Sequence, residues 1–226
     1  MPVASELQAQ ERNDSVTRLY HLSLKYIIAF CVPLFVCVGV FAHPLVALWL
    51  GEGNDLIATT LQILIIPNFI NLMTGPAYFI SLGIGKAKYG MYSNVVGLFI
   101  NVVLSSVLLR FYGYFGAVAG TIVALTLEAI FFLTLFHRSL AVRWSKSLLL
   151  FIRPLVGISL GVTLALAVGY FIELLAVKTF IMVGLTIAIY LFVLFRAAYF
   201  DDEDKRYLRE IKRSVVEMFP TLPERV

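Results

Sequence analysis

Apolar and polar positions are strongly segregated along this chain. Six apolar segments, roughly 26–42, 57–82, 91–109, 114–136, 148–172 and 179–195, alternate with short stretches that hold nearly all the charge. Each is near the about 20 residues that an α-helix, rising about 1.5 Å per residue, needs to cross about 30 Å of hydrocarbon. Backbone groups in lipid must bond within their own segment, so the pattern predicts helices throughout. The first segment is the shortest. It is expected to extend through His43, Pro44 and Trp49 into the interface, where Trp favours the headgroup level. The expected fold class is all-α: a polytopic transmembrane bundle of about six spans over 26–199, preceded by an N-terminal segment 1–25 and followed by a tail 200–226.

Composition strengthens this reading. Of the 226 residues, 60% are hydrophobic and 14% charged, with a mean hydropathy of +0.90. Soluble domains are nearer half apolar and a quarter charged. The net charge of +4 does not point to nucleic acid, because the cations sit in loops and tail rather than along one stripe. The first 25 residues are polar and mixed in charge, with no apolar h-region of a signal peptide. Cys31 and Cys37 lie six apart in one apolar run; they read as small apolar helix residues, with neither a disulfide nor a metal site suggested.

Charge sets the orientation. With the N-terminus inside, the outside segments hold only Arg110 and Lys178, and Arg153 falls within a span; the other fifteen of the eighteen Lys and Arg lie inside. So one-sided a distribution follows the positive-inside rule and supports an even number of spans, with both termini cytoplasmic. At the N-terminal end, Asp14 or Ser15 is a candidate cap for a helix running straight into the first span. In the tail, residues 201–219 open with acids and stop before Pro220; Leu208, Ile211, Val215 and Met218 recur at helical steps among Lys and Arg. That pattern predicts either an amphipathic helix on the inner leaflet or a solvated charged helix.

No Walker A, HExxH, GxSxG or paired catalytic carboxylates occur, and His21, His43 and His137 are scattered at span borders. The sequence therefore predicts no enzyme, cofactor or metal centre. Polar residues within spans carry the remaining information. Glu128 sits in the fourth span, about 13 Å from its inner end. An ionised carboxylate there costs several kcal/mol unless paired or hydrated, so Glu128 is either a coupling or cavity residue or a neutralised structural one. Arg153, before Pro154, either binds an anionic headgroup or snorkels to the interface. Gln62, Asn68, Asn71, Asn94 and Asn101 place amides in the second and third spans, for interhelical hydrogen bonds or a hydrophilic cavity; Asn94 and Asn101, seven apart, share a face. Pro67 and Pro76 are expected to break the second span's ladder. The pairs Gly116/Gly120 and Gly157/Gly161 allow close helix approach.

Read in order, the chain shows PVASELQAQERND, LVALWLGEG, FISLGIGKAKYGMYSNVVG and GYFGAVAGTIVAL. The sites are Pro2 to Glu6, Leu48 to Gly51, Gly83 to Lys88 and Gly113 to Gly120. This order resembles the C-terminal half of polysaccharide-export flippases, of the O-antigen flippase type, in the multidrug/oligosaccharidyl-lipid/polysaccharide superfamily. The resemblance covers roughly residues 2–200 and implies half of a two-lobed MATE-like fold. Members have twelve to fourteen spans, so the chain is expected to be a C-terminal portion keeping about the last six. It implies a cell-membrane protein that works with membrane lipid and a polyprenyl-linked oligosaccharide, the sugar entering a cavity between lobes and the tail staying in the bilayer. It further implies a missing N-terminal lobe or a second subunit as partner, and a tail groove formed by the fifth and sixth spans. The alternatives are a cation-coupled multidrug exporter of the same superfamily and a non-transporting membrane scaffold.

Overall fold

The computed structural model describes residues 12–197 and Tyr199. The predicted tail helix over 201–219 and the first eleven residues lie outside them. In chain order the described elements are α1 (Arg12–Val40), α2 (Ala42–Leu50), α3 (Asp55–Leu72), α4 (Gly75–Gly83), α5 (Lys88–Leu140), α6 (Trp144–Leu149), α7 (Ile152–Gly169) and α8 (Leu175–Arg196). Among the described residues there is no strand, and the fold is an all-α transmembrane bundle. Five stretches among the described residues are long and apolar enough to cross a membrane: Val16–Val40, Asp55–Gly83, Lys88–Leu140, Trp144–Gly169 and Leu175–Arg196.

The third stretch has 53 residues, which as a straight helix would run about 80 Å. It folds back instead at Gly113, whose φ of 61° and ψ of −144° break the helix. A side chain there would be strained, and glycine adopts this backbone freely. The two arms then lie against each other. A Cβ on Gly116 would stand 2.5 Å from the Leu108 carbonyl carbon, and one on Gly120 would stand 2.6 Å from Ser105 Cα. The close approach expected of the Gly116/Gly120 pair is thus the inner seam of a helical hairpin. Its arms, 88–112 and 114–140, carry the third and fourth apolar segments.

α1 lies at the centre and touches α2, α3, α4, α7 and α8. Its residues Tyr20, Leu24, Ile28 and Val32 share one buried cluster with Phe132, Phe136, Ile158, Tyr190 and Leu194. Hydrogen bonds across helices fix the neighbours. Gln62 Nε2 donates to the Gly39 carbonyl at 2.9 Å, and the Tyr190 hydroxyl donates to the Ala29 carbonyl at 2.8 Å. The Tyr199 hydroxyl lies 3.0 Å from the Leu150 carbonyl and 3.4 Å from that of Lys25. Gly157 and Gly161 let α7 close on α8: a Cβ at Gly161 would stand 2.8 Å from the Thr186 carbonyl oxygen.

The outer surface is apolar. Phe30, Phe99, Phe111 and Phe192 are among many large side chains that are mostly exposed. Water would penalise such a surface, whereas lipid covers it. At one end, Trp49 in the last turn of α2, Tyr112 and Tyr114 at the hairpin turn, and Tyr170 beyond α7 are all exposed, and the hydroxyls of Thr60 and Tyr114 meet at 3.0 Å. Aromatic rings gathered at one end suit a membrane–water interface.

One local expectation changes. The helix is already running at Arg12, so neither Asp14 nor Ser15 caps it. Pro67 lies inside α3, where its missing N–H leaves the ladder one bond short without ending the helix; the span is interrupted at Met73 and Thr74. Pro76 then opens α4 within its first turn, where a missing N–H removes no intrahelical bond.

Candidate functional site

A cavity of about 290 Å³ opens between the α3–α4 break and the two arms of α5, lined by Asn71, Leu72, Thr74, Gly75, Tyr78, Gly90, Ser93, Asn94, Glu128, Ala129 and Phe132. The break supplies one wall. Thr74 turns back on Asn71, its amide and its hydroxyl donating to the Asn71 carbonyl at 2.9 and 2.7 Å. Pro76 has no N–H to offer the carbonyl of Leu72, so polar backbone is available where the helix would otherwise have consumed it.

The hairpin supplies the other wall and the acid. Glu128 lies on the second arm, half-buried. With the Asn94 amide turned so that its nitrogen faces acceptors, that nitrogen donates to Glu128 Oε1 at 3.0 Å and to the Gly90 carbonyl at 3.1 Å. Asn94 is itself exposed at the cavity mouth. Gly97, one turn further along the same face, has no side chain where the Glu128 carboxyl lies: a Cβ there would be 2.8 Å from Glu128 Cδ. Gly90 plays the same part for Tyr78, whose ring carbon would be 2.6 Å from an added Cβ.

Three of the six residues singled out from sequence therefore share one site: Asn71, Asn94 and Glu128. The other three lie elsewhere. Asn101 sits further toward the hairpin turn, where its Oδ1 accepts from Ser105 Oγ at 2.9 Å. Asn68 is exposed, its amide donating to the Leu64 carbonyl of its own helix at 2.8 Å. Arg153 is exposed near the start of α7 and is not among the residues lining the cavity. Sequence reasoning did not single out Gly90, Gly97 or Tyr78. The available signal was the seven-residue spacing of the two glycines on the Asn94 face.

Two further polar groupings stand apart. At the aromatic end, His43, Glu52, Asn54, Asp55 and Lys178 border a recess of about 590 Å³, with His43 Nδ1 3.4 Å from Asp55 Oδ1. At the opposite end, His21 and His137, distant in sequence, gather around Tyr20. The Tyr20 hydroxyl is 3.0 Å from His137 Nε2, and the His137 ring lies 4.2 Å from that of Trp144. The Ser147 hydroxyl is 3.5 Å from His21 Nε2. Among the described residues, no group of three His, Cys, Asp or Glu is arranged to hold a metal ion.

Comparison with known proteins gives one match. The MatE family model matches residues 1–107, which run from before α1 through most of the first arm of α5. That match supports the multidrug/oligosaccharidyl-lipid/polysaccharide superfamily. Together with the long apolar helices, it supports a multi-pass membrane protein. No curated protein and no solved structure matches the chain.

Proposed function

We propose that the chain forms part of a flippase that moves a lipid-linked oligosaccharide across the cytoplasmic membrane, for surface polysaccharide biosynthesis. The observation that carries the reading is the polar cavity at Glu128, Asn94 and Asn71, opened by a helix break in a bundle whose outer surface is otherwise apolar. Sugar hydroxyls both donate and accept, and the cavity offers amides, a carboxyl and hydroxyls to match them. The polyprenyl chain stays in the bilayer, where it costs nothing to leave it. The break at Met73 and Thr74 gives the wall a place to bend as the site turns from one membrane face to the other.

The size of the cavity sets a limit on what the chain does alone. At about 290 Å³ it lies at the low end of the roughly 300–1,000 Å³ found for small-molecule sites. It takes a single sugar-sized group, and an oligosaccharide needs a second wall. A complementary lobe or second subunit facing Asn94 supplies it. The positive-inside distribution supports an orientation with both ends of the chain in the cytoplasm. The reading is of a transporter and not an enzyme.

Glu128 also favours a second reading, a cation-coupled exporter of the same superfamily, because a carboxyl in a polar cavity within a membrane span is suited to taking up and releasing a cation. Complementation of a strain lacking an O-antigen flippase separates the two. Restored surface glycan with unchanged drug tolerance supports the flippase. Raised drug tolerance without glycan transfers the reading to the exporter. Neither phenotype, at normal membrane abundance with a complementary lobe co-expressed, overturns both and leaves a non-transporting scaffold.

A further inference from the structure

We propose that Gly97 and Asn94 are positioning residues, forming a seat on the first arm of α5 that holds the Glu128 carboxyl in one place and aims it at the cavity. This deepens the reading of Glu128 as the acting group of the site and rests on it.

The seat has two parts, three residues apart on one helix face. The first is a notch. A Cβ on Gly97 would lie 2.8 Å from Glu128 Cδ and 2.9 Å from Glu128 Cβ, so the whole side chain runs along the bare backbone of the facing arm. Any residue but glycine fills that channel. The second is a donor. The Asn94 amide spans from the Gly90 carbonyl to Glu128 Oε1, at 3.1 and 3.0 Å, so its own orientation is fixed by the helix that carries it. A carboxyl resting in a notch on one side and receiving a hydrogen bond on the other has lost most of its rotamer freedom before any substrate arrives. That is preorganisation: the ordering cost is met during folding rather than during binding.

The geometry makes a sharp statement about volume. Gly97→Ala puts a methyl group where the carboxyl lies, and the facing arm cannot retreat easily. The seam tightens toward the turn, where Gly116 and Gly120 already lie against backbone atoms. The Glu128 side chain must leave instead. Glu128→Asp withdraws the carboxyl by one methylene and frees the space next to Gly97 that Glu128 Cδ and Oε2 occupy, while the contact at Glu128 Cβ stays. The two substitutions should therefore compensate each other in part.

The chain in lipid nanodiscs, treated with dicyclohexylcarbodiimide, gives a direct reading, since this apolar reagent modifies carboxyl groups within the membrane. Labelling of Glu128 is followed by mass spectrometry. Gly97→Ala is expected to raise its rate severalfold as the carboxyl leaves the notch. Asn94→Ala, which removes the donor without adding volume, is expected to do the same and serves if Gly97→Ala fails to fold. In the transport assay, Gly97→Ala should fall to the level of Glu128→Gln, and Gly97→Ala combined with Glu128→Asp should transport better than either alone. Unchanged labelling in both Gly97→Ala and Asn94→Ala overturns the seat, as does a double variant no better than its parents. Wild-type transport by Glu128→Gln overturns the functional reading of Glu128 alone, because the labelling result still decides whether the seat exists.

Discussion

Replacing Gly161 and Gly184 by alanine, one at a time, gives the most direct measure of how the last two helices are held. Both glycines are inside apolar helices, and alanine gains roughly 1 kcal/mol of helix propensity over glycine in each. Their surroundings differ. A Cβ at Gly161 would lie 2.8 Å from the Thr186 carbonyl oxygen and 3.2 Å from Thr186 Cα, whereas one at Gly184 meets nothing within 4 Å. Ordinary contacts between carbon atoms begin at about 3.5 Å. Gly161→Ala therefore forces α7 and α8 apart by something on the order of half an ångström along their seam. The atoms in the way belong to a helix backbone and cannot rotate aside. Overpacking of this kind costs about 1–3 kcal/mol. The propensity gain is common to both variants, so the difference between them isolates the overlap. Unfolding in mixed micelles by a denaturing detergent should show Gly184→Ala equal to or slightly more stable than wild type, and Gly161→Ala less stable than Gly184→Ala by about 1–3 kcal/mol. Equal stability of the two variants would refute the close approach of α7 to Thr186 and, with it, the packing role of the Gly157/Gly161 pair.

Further predictions concern the turn, the inner cluster, the site and the topology. Gly113→Val places a branched side chain at a φ of 61° and should cost at least about 1–3 kcal/mol, read as lower yield and a lower melting temperature in detergent. Tyr20→Phe removes the partner of His137 Nε2, and Nδ1 of the same ring is buried with no hydrogen-bond partner among the described residues. Detergent unfolding should show a loss of about 1–3 kcal/mol, and a stability equal to wild type would show that the contact is not formed. Glu128→Gln keeps shape and removes charge, so it should cut transport at unchanged membrane abundance. Cysteines at Asn54 and Val177 should react with an impermeant thiol reagent from outside, and those at Lys86 and Ser145 only after permeabilisation; outside labelling at position 86 would overturn the orientation.

The sequence made the bundle legible because lipid imposes one rule on every span. Apolar runs of sufficient length become helices, and the borders fall close to where charge resumes, as at Lys88 and Arg196. The hairpin was partly legible too. Gly113 separates the third and fourth segments, and contacting pairs lie nearly equidistant from it along the chain: Leu108 with Gly116, Ser105 with Gly120, and Gly97 with Glu128. Folding the chain at Gly113 would have brought Glu128 against the stretch 94–97 on paper. What was not legible is where α3 and α4 meet that hairpin. Their contribution to the cavity depends on which of two prolines stands beside a helix break, and Pro67 and Pro76 look alike in sequence. Position within the turn separates them: Pro76 follows Thr74, whose hydroxyl takes up the Asn71 carbonyl, and a helix can restart there. The gathering of His21 and His137 around Tyr20 was equally hidden, because it depends on α1 crossing the end of α5 more than 100 residues later in the chain.

That long reach has a consequence for how the protein is made. α1 is made before the groups that complete its hydrogen bonds: His137 for Tyr20, 117 residues on, and Tyr190 for the Ala29 carbonyl, 161 residues on. At about 5–20 residues per second, synthesis of those intervals takes roughly six to thirty seconds. During that time the buried face of α1, with the Tyr20 hydroxyl on it, has lipid, the insertion machinery or a chaperone for company in place of its own chain. Ribosome stalling near Leu175 would leave the hairpin made, with His137 there for Tyr20, and α8, with Tyr190 for the Ala29 carbonyl, still to come.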